Sequence, residues 1–196
     1  MNDPFVQEFR NAIPDICCDE IIQMYELENN RYDGTVLAGV LKHVKDTRDF
    51  IIPHNDPKWK NIEICLTSEL QNCLSKYIKK IKEEAYPTYG YNNMYVKNLM
   101  IQKYEKMKGR YTMHDDFNEE NDGYRVITYL IYLNNVEDGG ETSFYGGKYK
   151  IKPEKGKILF FPAEWSYPHE GIMPVSSDKY IITNWFYVKR FKDQKD

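Results

Sequence analysis

The sequence predicts a mainly β fold with supporting helices, and three observations carry that expectation. From Met94 onward, short segments rich in β-branched and aromatic residues follow one another with Gly, Asn, Asp and Pro between them, which is the pattern of a sandwich or barrel. Ahead of them lie two stretches of helical periodicity. The chain has 196 residues, 41% hydrophobic and 15% aromatic, so it can bury a sizeable core at a length ordinary for one domain. A single domain over 1–196 is expected, with 1–85 as mainly helical support and 86–196 as the β core.

In chain order, Asp15 is expected to cap a helix running to about Glu28, with Asp19 and Glu20 in the first turn where the helix dipole favours acids. Asp56-Pro57 reads as a stronger start, a cap followed by a first-turn proline. From there Trp59, Ile62, Leu66, Leu70, Cys73, Leu74, Tyr77, Ile78 and Ile81 recur at helical spacing, a stripe expected to pack on one sheet. The basic run KYIKKIK from Lys76 then falls on the solvated face. Residues 30–55 between the helices are mixed and turn-rich. His43 and His54 lie there without carboxylate or cysteine partners at ligand spacing, so both read as surface or structural. Four tyrosines crowd residues 86–95, either as a peptide-binding surface or as a loop packed by its own rings. Strands are expected at 94–105, 110–117, 124–133, 142–151, 156–161, 166–173 and 179–190.

A formal net charge of -3 gives no global field for nucleic acid. Neither a signal-peptide pattern nor an apolar run of membrane-spanning length is visible, which points to a cytoplasmic protein with no membrane partner. Cysteines 17, 18, 65 and 73 form no CxxC pattern and read as reduced thiols.

The chemistry is concentrated in two places. On a strand, residues i and i+2 share a face, so His114 and Asp116 can reach one metal while Asp115 turns away. His169 would complete two imidazoles and one carboxylate, a facial set whose open positions suit non-haem Fe(II). The plainer alternative is a polar pair and a surface histidine. Ten residues after His169, Lys179 opens an apolar strand whose alternation puts Lys179, Ile181, Thr183 and Trp185 on one face. A lysine on an inward face calls for an anion. The alternative is an ammonium that snorkels to water.

Through residues 100–117 (MIQKYEKMKGRYTMHDDF), RVITYLIYLN, DGGETSFY, KPEKGKILFFP and the His169 to Val188 segment, the chain resembles the Fe(II)/2-oxoglutarate-dependent dioxygenases, within them the prolyl 4-hydroxylase-like branch. The resemblance implies a double-stranded β-helix, or jelly roll, with His114, Asp116 and His169 as iron ligands. It implies that Lys179 holds the distal carboxylate of 2-oxoglutarate, where the oxygen-sensing members use arginine. Tyr132 would share that carboxylate, Tyr104 would line the cosubstrate pocket, and Thr183 and Trp185 would lie on the lysine's strand. Oxygen-sensing members also have an arginine near the substrate at the position of Arg125, but alternation sends Arg125 to the face opposite Tyr132, so a strand-end salt bridge is expected instead. Gly139-Gly140-Glu141-Thr142 reads as a hairpin turn.

The cofactors implied are Fe(II), 2-oxoglutarate, dioxygen and ascorbate. The substrate implied is proline in a peptide or protein. Hydroxylation of a free amino acid or other small metabolite is the first alternative, and a noncatalytic jelly-roll binding module is the second. Nucleobase demethylation is disfavoured, because neither that group's extra C-terminal arginine pattern nor a basic aromatic groove is visible.

Overall fold

The computed structural model describes residues 3–85, 94–120 and 123–189. In chain order the N-terminal part contains β1 (Gln7–Phe9), α1 (Asp15–Glu26), β2 (Tyr32–Asp33), β3 (Lys45–Asp46), β4 (Arg48–Ile51) and α2 (Lys60–Glu84). There follow β5 (Met94–Val96), β6 (Met100–Tyr104), β7 (Arg110–His114), β8 (Glu119–Glu120) and β9 (Gly123–Tyr132). The last are β10 (Thr142–Phe144), β11 (Tyr149–Ile151), β12 (Ile158–Pro162), β13 (His169–Gly171) and β14 (Lys179–Lys189).

Both helices form where periodicity places them, but neither is capped as expected. Pro14 occupies the N-cap of α1, and its carbonyl accepts the Cys17 and Cys18 N–H groups. Asp15 is therefore the first helical residue, still inside the turn where an acid meets the positive end of the dipole. In α2 the cap is Trp59, three residues beyond Asp56. The Asp56 carboxylate accepts the Lys58 N–H at 2.9 Å, so Asp56-Pro57 makes a turn before the helix. Trp59 fixes the start because its fully buried ring packs on Phe50 at 5.5 Å. Ile62, Leu66, Leu70, Cys73, Tyr77 and Ile81 are buried along one face, while Lys76, Lys79, Lys80 and Lys82 are exposed. Each buried Leu or Ile contributes about 1.5–3 kcal/mol, against the entropy of ordering the chain.

The stretch between α1 and α2 is too short-ranged to read as strands, yet it supplies three of them. Two to four residues such as Tyr32–Asp33 or Lys45–Asp46 cannot display an alternation. The expected strand 94–105 is interrupted at 97–99, and 142–151 is a hairpin of two strands. Most of the tyrosine-rich segment, residues 86–93, lies outside the described residues.

The strands form two sheets. The larger is nine-stranded, ordered β1-β12-β9-β14-β6-β4-β2, with β5 joined to β14 and β8 to β9; the smaller is ordered β11-β10-β13-β7-β3. Alternation on the two long central strands assigns their faces. Ile127, Tyr129 and Ile131 of β9 and Ile182 and Phe186 of β14 pack against both helices. Leu130 and Tyr132 of β9 and Ile181 of β14 point the other way, into a second core shared with Phe144 and Ile151 of the smaller sheet. The result is a jelly-roll core backed by two helices, mainly β as expected.

Candidate active site

Pairing within the smaller sheet brings distant residues together. His114 ends β7 and is the direct cross-strand partner of His169 on β13. Asp116 lies two residues past the end of β7 and is buried, while Asp115 is exposed and accepts the Phe117 N–H. One ligating atom from each of His114, Asp116 and His169 lies within 4.8 Å of the others. The imidazole Nε2 atoms sit 3.6 Å (His114) and 3.5 Å (His169) from the two Asp116 oxygens.

The surrounding residues orient these donors. His114 Nδ1 pairs with the Thr112 carbonyl at 2.8 Å and His169 Nδ1 with the Tyr167 carbonyl at 3.1 Å. Each Nδ1 then carries its proton, leaving Nε2 with a free lone pair. Tyr111 stacks on His114 with ring centroids 3.5 Å apart. Thr128 Oγ1 donates to Asp116 Oδ2 at 2.7 Å. Burial opposes ionisation of Asp116, but His169, His114 and the Thr128 hydroxyl outweigh it and hold its carboxyl below the usual value. The Trp185 indole N–H lies close enough to assist, without a well-formed hydrogen bond. Burial, followed by the neighbouring His169, pushes His114 down to about 4. Near neutral pH the site thus offers a neutral His114 imidazole and a carboxylate, a donor set that suits a ferrous ion.

Beside the triad, Lys179 is 1% exposed at the start of β14, paired in register with Tyr104 on β6. Its ammonium donates to the Gly140 carbonyl at 2.9 Å and sits 4.1 Å from the Tyr104 ring centroid. Among the described residues no carboxylate lies within ion-pair distance of it. Burial pushes Lys179 down to about 7, with Glu141 opposing. The Gly139-Gly140 turn does more than reverse the chain. Both glycines have positive φ, and a Cβ at Gly139 would lie 2.4 Å from the Met173 carbonyl, so the turn that presents Gly140 to Lys179 requires glycine.

Triad and lysine open onto one cavity of about 670 Å³, also lined by Tyr104, Thr183 and Trp185. That volume is within the range of small-molecule sites, roughly 300–1,000 Å³. Tyr132 is placed differently from the rest. Its buried hydroxyl pairs with Thr142 Oγ1 at 2.7 Å, and Thr142 is the residue that lines the cavity. Thr142 and Thr128 were not singled out from sequence, although Thr128 lies on the Tyr132 face by simple alternation.

Arg125 requires a correction. One step on β14, Phe186 to Tyr187, is matched by two on β9, Ile127 to Arg125, so Val126 is a bulge residue. The bulge flips the alternation beyond it and re-aims Arg125 onto the cavity face. There the guanidinium stacks on Trp185 at 3.4 Å and is held by Glu120 through Nε at 3.1 Å and a terminal nitrogen at 2.9 Å. The expected salt bridge exists, but it fixes an arginine at the cavity rather than on the outer face.

The remaining expectations fall away from the site. His54 pairs with Glu63 at 2.8 Å and His43 is exposed. The four cysteines are free, with the Cys17 and Cys65 sulfurs 4.0 Å apart. No helix among the described residues is long and apolar enough to cross a membrane.

Residues 99–187 match the 2OG-Fe(II) oxygenase superfamily. That match spans a little under half of the chain, and the relatives it resembles are named prolyl 4-hydroxylases. A putative prolyl 4-hydroxylase of Acanthamoeba polyphaga mimivirus is 28% identical over 97% of this chain and 76% of its own length. A probable prolyl 4-hydroxylase of Arabidopsis thaliana is 34% identical, but over 40% of this chain and 33% of the plant protein, so only about a third of that relative is spanned. In fold, a Trichoplax adhaerens prolyl hydroxylase solved with a hypoxia inducible factor oxygen degradation domain peptide superimposes with a TM-score of 0.69 at 22% identity, covering 95% of this chain and 84% of that one.

Proposed function

We propose that the chain is an Fe(II)- and 2-oxoglutarate-dependent dioxygenase that hydroxylates proline in a peptide or protein. The observation that carries this reading is the convergence of His114, Asp116 and His169 in the same cavity as a buried ammonium that pairs with no carboxylate among the described residues. His114, Asp116 and His169 would hold the iron; Lys179 would hold the far carboxylate of 2-oxoglutarate. When bound, Fe(II), 2-oxoglutarate and dioxygen supply an oxidation that releases succinate and carbon dioxide and places one oxygen atom on a substrate C–H bond.

The protein's own residues bind, orient and seal. Burial keeps the Tyr104 phenol protonated, so it stays neutral and carries no charge that would compete for Lys179. Thr142, held by Tyr132, and Thr183 give hydroxyls on the anchor wall, useful beside a lysine that makes one point contact where arginine would make two. Thr128 and the two backbone carbonyls fix the triad before anything binds. The helices share a continuous core with the larger sheet, which supports a single domain over 1–196. Four unpaired thiols support a reducing, cytoplasmic setting, and resemblance to the family supports ascorbate as an accessory.

Anaerobic addition of Fe(II) and 2-oxoglutarate should produce a visible charge-transfer band, and aerobic incubation with proline-containing peptides should add the mass of one oxygen to proline. An intact protein that gives no band defeats the oxygenase reading. Oxygen gained by free amino acids alone leaves the catalytic class and removes the peptide substrate. Arg125→Ala should raise KM for the peptide about tenfold while leaving the band unchanged, because a hydrogen bond from the guanidinium to a peptide carbonyl is worth about 1.5 kcal/mol or more. An unchanged KM would return Arg125 to a purely structural role.

A further inference from the structure

The cavity continues beyond the residues that would hold metal and cosubstrate. Register places Tyr132, Ile181, Gln102 and Asp49 in one row across β9, β14, β6 and β4. At about 4.8 Å per strand, the row runs roughly 14 Å from beside the anchor to a carboxylate on the far side.

Asp49 is 1% exposed and lines this far part of the cavity. Its Oδ2 accepts from Lys45 Nζ at 2.9 Å and from Gln102 Nε2 at 3.3 Å. Lys45 is also buried and sits on β3, so the ion pair ties the two sheets together where the chain crosses from one to the other. That structural task is complete with one oxygen. Asp49 Oδ1 is also buried and has no hydrogen-bond partner among the described residues. A buried acceptor left bare is costly, and the residue that carries it lines a cavity walled by Val36, Leu37, Ile51 and Met100.

The charge balance narrows what Oδ1 receives. Lys45 already neutralises Asp49, so an arriving ammonium or guanidinium would leave a net positive charge buried. A neutral N–H donor leaves none. Apolar walls around a single acceptor suit a peptide segment, which offers one amide N–H per residue except at proline.

We propose that Asp49 is a specificity-determining residue whose free carboxylate oxygen accepts an amide N–H of a peptide substrate, at a position flanking the residue that reacts. The proposal rests on the oxygenase reading and deepens it, selecting a peptide over a free amino acid and over an all-proline chain.

The test compares an acetylated alternating Pro-Ala peptide with its counterpart carrying N-methylalanine, by calorimetric titration of the protein loaded with Mn(II) and 2-oxoglutarate. Wild type should bind the N–H peptide about 10–100-fold more tightly, the worth of a hydrogen bond to a charged group. Asp49→Asn should turn its amide oxygen to Lys45 and its NH2 group to the cavity, reversing the polarity and bringing the ratio close to one. Comparing the ratio across the two proteins cancels any conformational effect of methylation, and the wild-type comparison stands even if the variant folds poorly. Equal affinities in wild type, or no binding of either peptide, overturn the inference. If the anaerobic Fe(II)/2-oxoglutarate band still forms, that failure concerns peptide recognition alone; if the band is missing, the oxygenase reading has failed instead.

Discussion

Asp116→Ala is expected to abolish the Fe(II)/2-oxoglutarate band and to lower 2-oxoglutarate turnover by well over 100-fold. Asp116 is the anionic member of the triad, and both its oxygens lie 3.5–3.6 Å from an imidazole Nε2. Without it two imidazoles remain, one of them held neutral with its conjugate acid near pH 4. Outer residues that merely orient a ligand are worth about 10–100-fold, so loss of the ligand itself should exceed that range. Thr128→Val supplies the internal comparison. It removes the 2.7 Å hydrogen bond to Asp116 while keeping the carboxylate, and should weaken Fe(II) binding by no more than about 10–100-fold. Anaerobic titration of Fe(II) into the three proteins measures the order. An Asp116→Ala protein that binds Fe(II) and turns over like wild type would remove the metal centre from this cavity.

Parts of this arrangement were legible in the sequence because they depend on short-range geometry. The i, i+2 spacing of His114 and Asp116 survives even though β7 ends at His114, since Asp116 beyond the strand is still buried beside His114 while Asp115 is exposed. The alternation from Lys179 also holds, because β14 is an eleven-residue central strand whose cavity-facing members keep their phase through Trp185. The same rule failed at Arg125. A bulge adds one residue to one strand, and here that residue is Val126, a good strand former that leaves no local mark. The phase change is fixed by the partner strand, not by the sequence around it.

Other features depended on long-range packing from the outset. Lys45 and Asp49 come from strands of two and four residues in a stretch without periodicity, and only sheet closure brings them to each other and to Gln102. Tyr132 was legible as an inward-facing residue, but whether its hydroxyl reaches the cavity depends on Thr142, ten residues away across a turn. Both helices were placed by their buried stripes, whereas their starting residues were decided by Pro14 and by the Trp59–Phe50 contact.

Lys179→Met should weaken 2-oxoglutarate binding by at least about 30-fold and remove its pH dependence. Truncating one partner of a buried charge pair costs about 2–5 kcal/mol, and the low end of that range corresponds to the stated factor. The direction of the pH effect follows from burial. In the free protein Lys179 titrates near 7, against an ordinary value of 10.5, because its ammonium is desolvated and Glu141 offsets only part of that cost. Between about pH 7 and 10.5 the unfolded chain therefore binds more protons at this residue than the folded one, so its contribution destabilises the free protein most below pH 7 and fades as pH rises through that window. A bound dicarboxylate reverses the local preference by stabilising the ammonium, so binding at pH 8 should take up close to ~1 proton, and affinity should fall as pH rises above 7. Calorimetry at pH 8 in two buffers of different ionisation enthalpy measures that uptake directly. The methionine variant should show none, and its unliganded form should be no less stable than wild type, since a buried cation is replaced by an apolar side chain of similar length. Zero proton uptake by wild type, with binding intact, would mean that the ammonium at Lys179 does not receive the cosubstrate.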